Sequence, residues 1–108
     1  MEMNNLTSEE RQVIRNALLY WESAWDWECP LLFGLSLDEF REAASTWSEN
    51  SAQLSESEAL AISSAFRELL YGASALPAEK VSVVCGISAV EVEALCNRLQ
   101  PWFREVLG

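Results

Sequence analysis

The sequence contains no histidine, and basic residues are scarce. Seven Lys and Arg stand against 17 Asp and Glu, which gives a formal net charge of −10 over 108 residues. Without an imidazole the chain cannot build a Ser-His-Asp or Cys-His catalytic group, and it lacks the most common metal ligand in proteins. A strong negative charge also repels phosphate backbones. These two absences exclude histidine-dependent catalysis and disfavour direct binding of nucleic acid.

Long apolar runs and glycine are also in short supply. The longest apolar runs are only a few residues, far below the ~20 residues that cross a bilayer as a helix. The polar N-terminus does not have the pattern of a signal peptide. Only four glycines are present, and none lies in a phosphate-cradling loop. We therefore expect a cytoplasmic protein with no membrane contact and no cofactor.

The three cysteines are odd in number and far apart in sequence. Cys29, Cys85 and Cys96 form no CxxC pair, and no histidine is present to complete a zinc site. In a reducing cytosol such residues are typical small, buried apolar side chains. Carboxylates at Asp26 and Glu28 would raise the pKa of Cys29 and make it a poor nucleophile. The sequence thus predicts structural thiols and no metal site.

Helix-initiation signals, by contrast, are abundant. Four segments have the S/T-x-x-E order of a capping box, in which the hydroxyl accepts the third amide and the Glu reaches back to the cap. They begin at Thr7, Ser36, Ser55 and Ser88, and apolar residues follow at helical spacing. Pro77 suits a further helix start. Because no segment shows β alternation, the sequence predicts one all-α domain over residues 1–108, a compact bundle of about five helices.

The expected helix ends depend on residues that break helices. Pro30 is expected to close the first segment, with residues 25–30 forming a fraying end and a structured loop. The next ends are expected at Asn50 and Ser51 for the second helix, at Gly72 in a left-handed conformation for the third, and at Gly86 for the fourth. Pro101 either kinks the last helix or begins a final turn.

The segment Pro77 to Arg98 resembles a helix-turn-helix unit. Gly86 allows the tight turn and Ser88 caps the second helix. Apolar residues occupy the positions that two helices crossing at near right angles require, namely Val81, Ile87, Val92 and Leu95. The resemblance implies a helix-turn-helix-like pair in the C-terminal half. It does not favour DNA recognition, because the early positions of the second helix carry Ala, Val and Glu where a reading helix carries Arg, Lys, Asn, Gln or Ser.

Negative charge is concentrated in the N-terminal half. Residues 1–58 hold 12 acids and three Arg, a net charge of −9, whereas residues 59–108 hold five acids and four bases, a net charge of −1. Capping and the helix dipole account for the acids in the predicted first turns. The remaining acids lie close in sequence to tryptophans. Together these candidate partner-binding residues are Glu22, Trp25, Asp26, Trp27, Glu28, Glu42, Trp47 and Glu49.

Aromatic anchors ringed by carboxylates are typical of a surface that binds a basic protein. The alternative is that the acids only keep a Trp-rich protein soluble. Trp27 lies beyond the periodic apolar stripe of the first helix and is the best candidate for an exposed anchor. Trp25 fits either the core or the surface. An enzyme is not expected, because paired carboxylates also need a substrate cleft.

The sequence therefore favours a small acidic protein-binding module that inhibits a basic toxin or nucleic-acid-handling protein, with DNA mimicry as one way to act. In size and charge alone it is similar to bacterial immunity proteins, antitoxins and anti-CRISPR proteins. The alternative is a helix-turn-helix transcriptional regulator or a relative that does not bind DNA. A structural or oligomerisation module is a third hypothesis, and the sequence leaves open whether two copies form a homodimer.

Overall fold

A computed structural model describes residues 5–49 and 53–108 of the chain. Within these two ranges all the regular secondary structure is helical, and no strand is present. The helices are α1 (Ser8–Ala24), α2 (Cys29–Phe33), α3 (Leu37–Thr46), a 3₁₀ turn (Trp47–Glu49), α4 (Glu56–Leu70), α5 (Ala78–Cys85) and α6 (Ala89–Leu107). The all-α prediction is confirmed, and α2 is the short helix that a count of about five left out.

The four predicted capping boxes all form. At the start of α1, the Glu10 amide donates to Thr7 Oγ1 at 3.0 Å and the Thr7 amide donates to Glu10 Oε1 at 2.8 Å. The same reciprocal pairs begin α3, α4 and α6. Each box satisfies two backbone donors that a helix N-terminus leaves unpaired. Local sequence thus determines where the long helices begin.

Helix α4 lies at the centre of the bundle. It packs against α1, α2, α3 and α6, and Ala59, Ile62 and Phe66 have no exposed surface. Its buried polar group Glu58 completes a capping box and also accepts a hydrogen bond from Thr46 Oγ1 on α3, at 2.6 Å. Nine of the fifteen residues of α4 are buried, so the other helices cover most of its surface.

Helices α5 and α6, the pair predicted to resemble a helix-turn-helix, are joined by a short turn. Gly86 ends α5, as predicted, and it adopts the left-handed conformation, with φ of 82°. Val81 and Cys85 on α5 pack into the core together with Val92 and Leu95 on α6. Helix α6 then continues without interruption through Pro101, so that proline does not begin a separate turn.

One predicted helix end is wrong, one is right in position but not in conformation, and one cannot be compared. Pro30 does not close α1, which ends at Ala24; it lies instead in the first turn of α2, where its missing N–H costs nothing. Gly72 is not left-handed. A Cβ at that position would lie 2.3 Å from the buried Glu68 Oε1, so any larger residue would have to displace that carboxylate. The predicted ends at Asn50 and Ser51 lie outside the described residues.

Candidate protein-binding surface

A tight turn between α1 and α2 carries the central part of the candidate site. The Asp26 carboxylate accepts the Glu28 amide at 2.9 Å, and the Asp26 carbonyl accepts the Cys29 amide at 3.2 Å. An Asp that bonds to the backbone two residues ahead is a common way to fix a turn. Asp26 therefore has a structural role in addition to its charge.

Helix α2 has one face in the core and one face in solvent. Cys29 and Phe33, four residues apart, are each 1% exposed. On the opposite side Trp27, which precedes the helix, is 82% exposed and Leu31 is 85% exposed. We call Trp27 and Leu31, with the flanking Asp26 and Glu28, the α2 surface.

An aromatic cluster packs around Phe33 on the inner face of α2. The ring of Phe33 lies 5.5 Å from Trp21, 5.1 Å from Trp25 and 5.4 Å from Phe40, measured between centroids. Trp21 is further held by a hydrogen bond from its Nε1 to the Ala65 carbonyl, at 2.9 Å. Edge-to-face and tilted contacts of this kind add to the stability gained from burial. The inner face of α2 is therefore fixed.

The C-terminal end of α2 is held by a residue of α4. Arg67 Nη2 donates to the Leu32 carbonyl at 2.6 Å, and Arg67 Nε pairs with the buried carboxylate of Glu68 at 2.9 Å. Gly34, with φ of 70°, closes the helix by donating its amide to the Pro30 carbonyl. A five-residue helix is unstable alone, so these contacts and the core anchors are what keep it in place.

The structure brings only some of the predicted site residues together. Trp25, Asp26, Trp27 and Glu28 are contiguous in the turn, and Trp25 is half-buried because its ring packs against Phe33 and Phe40. Trp47 is 1% exposed and belongs to the core. Its inclusion in a binding surface is therefore wrong, since a side chain without exposed area cannot contact a partner.

The other predicted acids are spread over separate places. Glu22 pairs with Arg41 across α1 and α3 at 3.6 Å, so its charge is partly neutralised. Glu42 borders a different groove, between α3 and α4. Glu49 is exposed in the 3₁₀ turn that follows α3. The expected single cluster of acids and tryptophans reduces to the α2 surface, with further acids at a distance.

Leu31 and Arg67 are functional candidates that the sequence interpretation missed. Because Pro30 is expected to end a helix, the sequence does not predict α2, although proline is common in the first turn of a helix. The spacing of Cys29 and Phe33, with Trp27 and Leu31 out of phase with them, is the pattern of a two-faced helical turn. The role of Arg67 has no local signal, because its partner Leu32 is 35 residues away.

The cysteines are buried thiols of low reactivity. Burial raises the pKa of Cys85 to about 11 and also raises the pKa of Cys96. For Cys29, burial is the main cause of a raised pKa, and the Asp26 and Glu28 carboxylates add to it. A thiol that stays protonated is a weak nucleophile. Within residues 5–49 and 53–108, no group of three or more Cys, Asp or Glu is arranged to hold a metal ion.

The second helix of the helix-turn-helix pair exposes an acidic and apolar surface. Val90 is 78% exposed, and Glu91 and Glu93 are exposed beside it. The nearby Arg98 is engaged in an ion pair with Glu10 of α1. The first turns of α6 therefore present carboxylates and apolar side chains to solvent, and Arg98 is already paired.

None of the helices described here is both long enough and apolar enough to cross a bilayer. The chain matches no protein-family model, no curated protein and no solved structure.

Proposed function

We propose that the protein binds a basic partner protein through the α2 surface and inhibits the partner by covering part of it. The observation that carries this proposal is the exposure of Trp27 and Leu31, 82% and 85%, on a segment that the fold holds rigidly. Isolated exposed apolar residues are common on protein surfaces. A tryptophan and a leucine displayed together on a fixed turn are typical of an interaction site.

The energetics favour these two residues as anchors. Complete burial of one large apolar side chain contributes about 1.5–3 kcal/mol, and tryptophan is among the residues most often found as hot spots. Because Cys29, Phe33 and Arg67 already fix α2, binding would require little ordering of the backbone. A preorganised surface binds more tightly than a flexible one with the same contacts.

The negative charge of the protein favours a basic partner. Asp26 and Glu28 flank Trp27, and the N-terminal half as a whole is strongly acidic. Such a surface attracts a basic protein and increases the rate of association at low salt. The separation of Glu22, Glu42 and Glu49 favours apolar anchoring with electrostatic steering over an array of carboxylates that imitates DNA.

The test compares two double variants in quantitative affinity capture from native extract, followed by calorimetry with the purified partner. Trp27→Ala with Leu31→Ala removes both anchors. Val83→Ala with Val90→Ala is the matched control, because these valines are 84% and 78% exposed but lie on the helix-turn-helix pair. We expect a basic partner whose affinity falls at least about 30-fold in the first variant and is unchanged in the control.

The proposal is wrong if the purified partner binds the anchor variant as tightly as the wild type, or if both variants weaken it equally. A parallel titration of labelled duplex DNA at ~50 mM salt addresses the helix-turn-helix regulator. Saturable binding of duplex DNA by the protein alone would favour that alternative over inhibition of a protein.

A further inference from the structure

A groove between α4 and α6 differs in charge from the rest of the molecule. It has a volume of about 390 Å³ and lies between the C-terminal halves of the two helices. Arg67 on α4 and Tyr71, the residue that follows α4, form one wall, and Asn97 and Arg104 on α6 form the other. A concavity of this size is within the range of small-molecule sites.

The lining of the groove is basic although the protein is acidic. Two of the seven cations in the chain, Arg67 and Arg104, face it, and no Asp or Glu of the described residues lines it. Arg67 is paired with the buried Glu68, so Arg104 carries the uncompensated charge. Arginine is favoured in the last turn of a helix by the helix dipole, which explains where Arg67 and Arg104 lie along their helices. The dipole does not require that both border the same groove.

Hydrogen-bond donors remain available in the groove. Arg67 uses Nε and Nη2 for Glu68, Ser64 and Leu32, and its Nη1 bonds to no described residue. The Arg104 guanidinium has no ion pair with any residue in the described ranges. It differs in this from Arg41, Arg67 and Arg98, which pair with carboxylates. A guanidinium presents donors in a planar fork that matches a carboxylate.

The floor and rim of the groove add apolar and neutral polar contacts. Phe103 lines it with an almost fully buried ring, and Leu107 borders it at the end of α6. Asn97 offers an amide. Desolvation and the nearby Glu93 carboxylate raise the pKa of Tyr71, and its phenol is hydrogen-bonded to Glu93, so Tyr71 forms part of the rim and is not counted among the free donors. Donors at one side and a ring at the other suit a ligand with an anionic head and an apolar body.

We propose that the groove between α4 and α6 binds a small organic carboxylate, with Arg104 and Arg67 contacting the carboxylate and Phe103 contacting the apolar part. This site is separate from the α2 surface and does not depend on the proposed partner. Arg104 is the residue to test, because it is exposed and holds no other element of the fold. Arg67 is unsuitable as the first target, since it also anchors α2.

The experiment is a titration of the ¹⁵N-labelled protein with benzoate, followed by two-dimensional NMR. We expect saturable shifts of amides around the groove, with a Kd on the order of 1 mM. Benzamide, which has the same shape without the charge, should bind at least about tenfold more weakly. Arg104→Gln should weaken benzoate binding by about tenfold, as expected for loss of a charged hydrogen bond.

Arg15→Gln is the matched control, because Arg15 is an exposed arginine on α1 outside the groove. Its benzoate affinity should equal that of the wild type. The amide spectrum of each variant reports directly whether it is folded. The proposal is overturned if the shifts do not saturate up to roughly 50 mM benzoate, if benzamide binds equally well, or if Arg104→Gln binds benzoate like the wild type.

Discussion

Replacing Trp27 by alanine tests whether this residue serves binding rather than folding stability. The side chain is 82% exposed, so folding removes only about a fifth of its surface from water. Since a fully buried aromatic residue covers ~150–250 Å², that fraction is roughly 30–50 Å². At ~25 cal/mol per Å² the contribution to folding is about 1 kcal/mol. Trp27→Ala should therefore lower the free energy of unfolding by no more than about 1 kcal/mol.

The buried Trp47 provides the comparison. It is 1% exposed, and truncation of a fully buried tryptophan costs about 3–5 kcal/mol because a cavity is left behind. Urea unfolding followed by circular dichroism measures both variants under the same conditions. The two midpoints should differ clearly, with that of Trp27→Ala close to the wild type.

A loss of more than ~3 kcal/mol in Trp27→Ala would mean that the indole packs into the fold. The α2 surface would then lose its main anchor. A small loss of stability together with an unchanged affinity for the partner would contradict the proposed function in a different way. The two measurements therefore test the structure and the proposal separately.

Three further substitutions test the anchoring of α2, the packing around Gly72 and the burial of Cys85. Arg67→Met leaves the Leu32 carbonyl and the buried Glu68 without their donor. It should therefore lower the free energy of unfolding by about 1–3 kcal/mol and speed amide hydrogen exchange in α2. The control Arg15→Met should change neither. Gly72→Ala should cost about 1–3 kcal/mol in urea unfolding, because its Cβ would lie 2.3 Å from Glu68 Oε1; an unchanged midpoint would show that Glu68 moves aside freely. Burial raises the pKa of Cys85 from 9.0 in the unfolded chain to about 11. The thiol therefore ionises first in the unfolded state. The contribution of the Cys85 thiol to the free energy of unfolding is complete below pH 9 and is lost as the pH rises towards 11. In Cys85→Ala, the free energy of unfolding should fall less over that pH range.

The parts of the fold that were predictable are those encoded by neighbours in sequence. A capping box needs only two residues three positions apart, so Thr7, Ser36, Ser55 and Ser88 identify the helix starts without tertiary information. Gly86 is equally local, because its left-handed conformation closes the helix it follows. These signals and the helical spacing of apolar residues are sufficient for an all-α fold.

The errors arise where tertiary contacts decide. Pro30 is compatible with a helix end and with a helix start, and the choice depends on whether Cys29 and Phe33 find a core to enter. Gly72 reads as a left-handed cap, but its role is to leave room for a carboxylate buried by other helices. Trp47, like Trp27, lies near acidic residues in sequence, yet it is 1% exposed and belongs to the core. Burial of a tryptophan next to acids cannot be read from its flanking residues alone.

The acidity of the chain and the exposed α2 surface make physical sense together. Trp27 and Leu31 would favour association between copies of this protein, but two molecules of net charge −10 repel each other. Repulsion and apolar attraction then oppose one another in a homodimer, whereas they act together with a basic partner. Salt screens charges in both cases. Association of two copies through α2 would strengthen as salt is added, while binding to a basic protein would weaken. The sign of the salt dependence therefore distinguishes a homodimer from the proposed complex, even though both would bury the same two side chains.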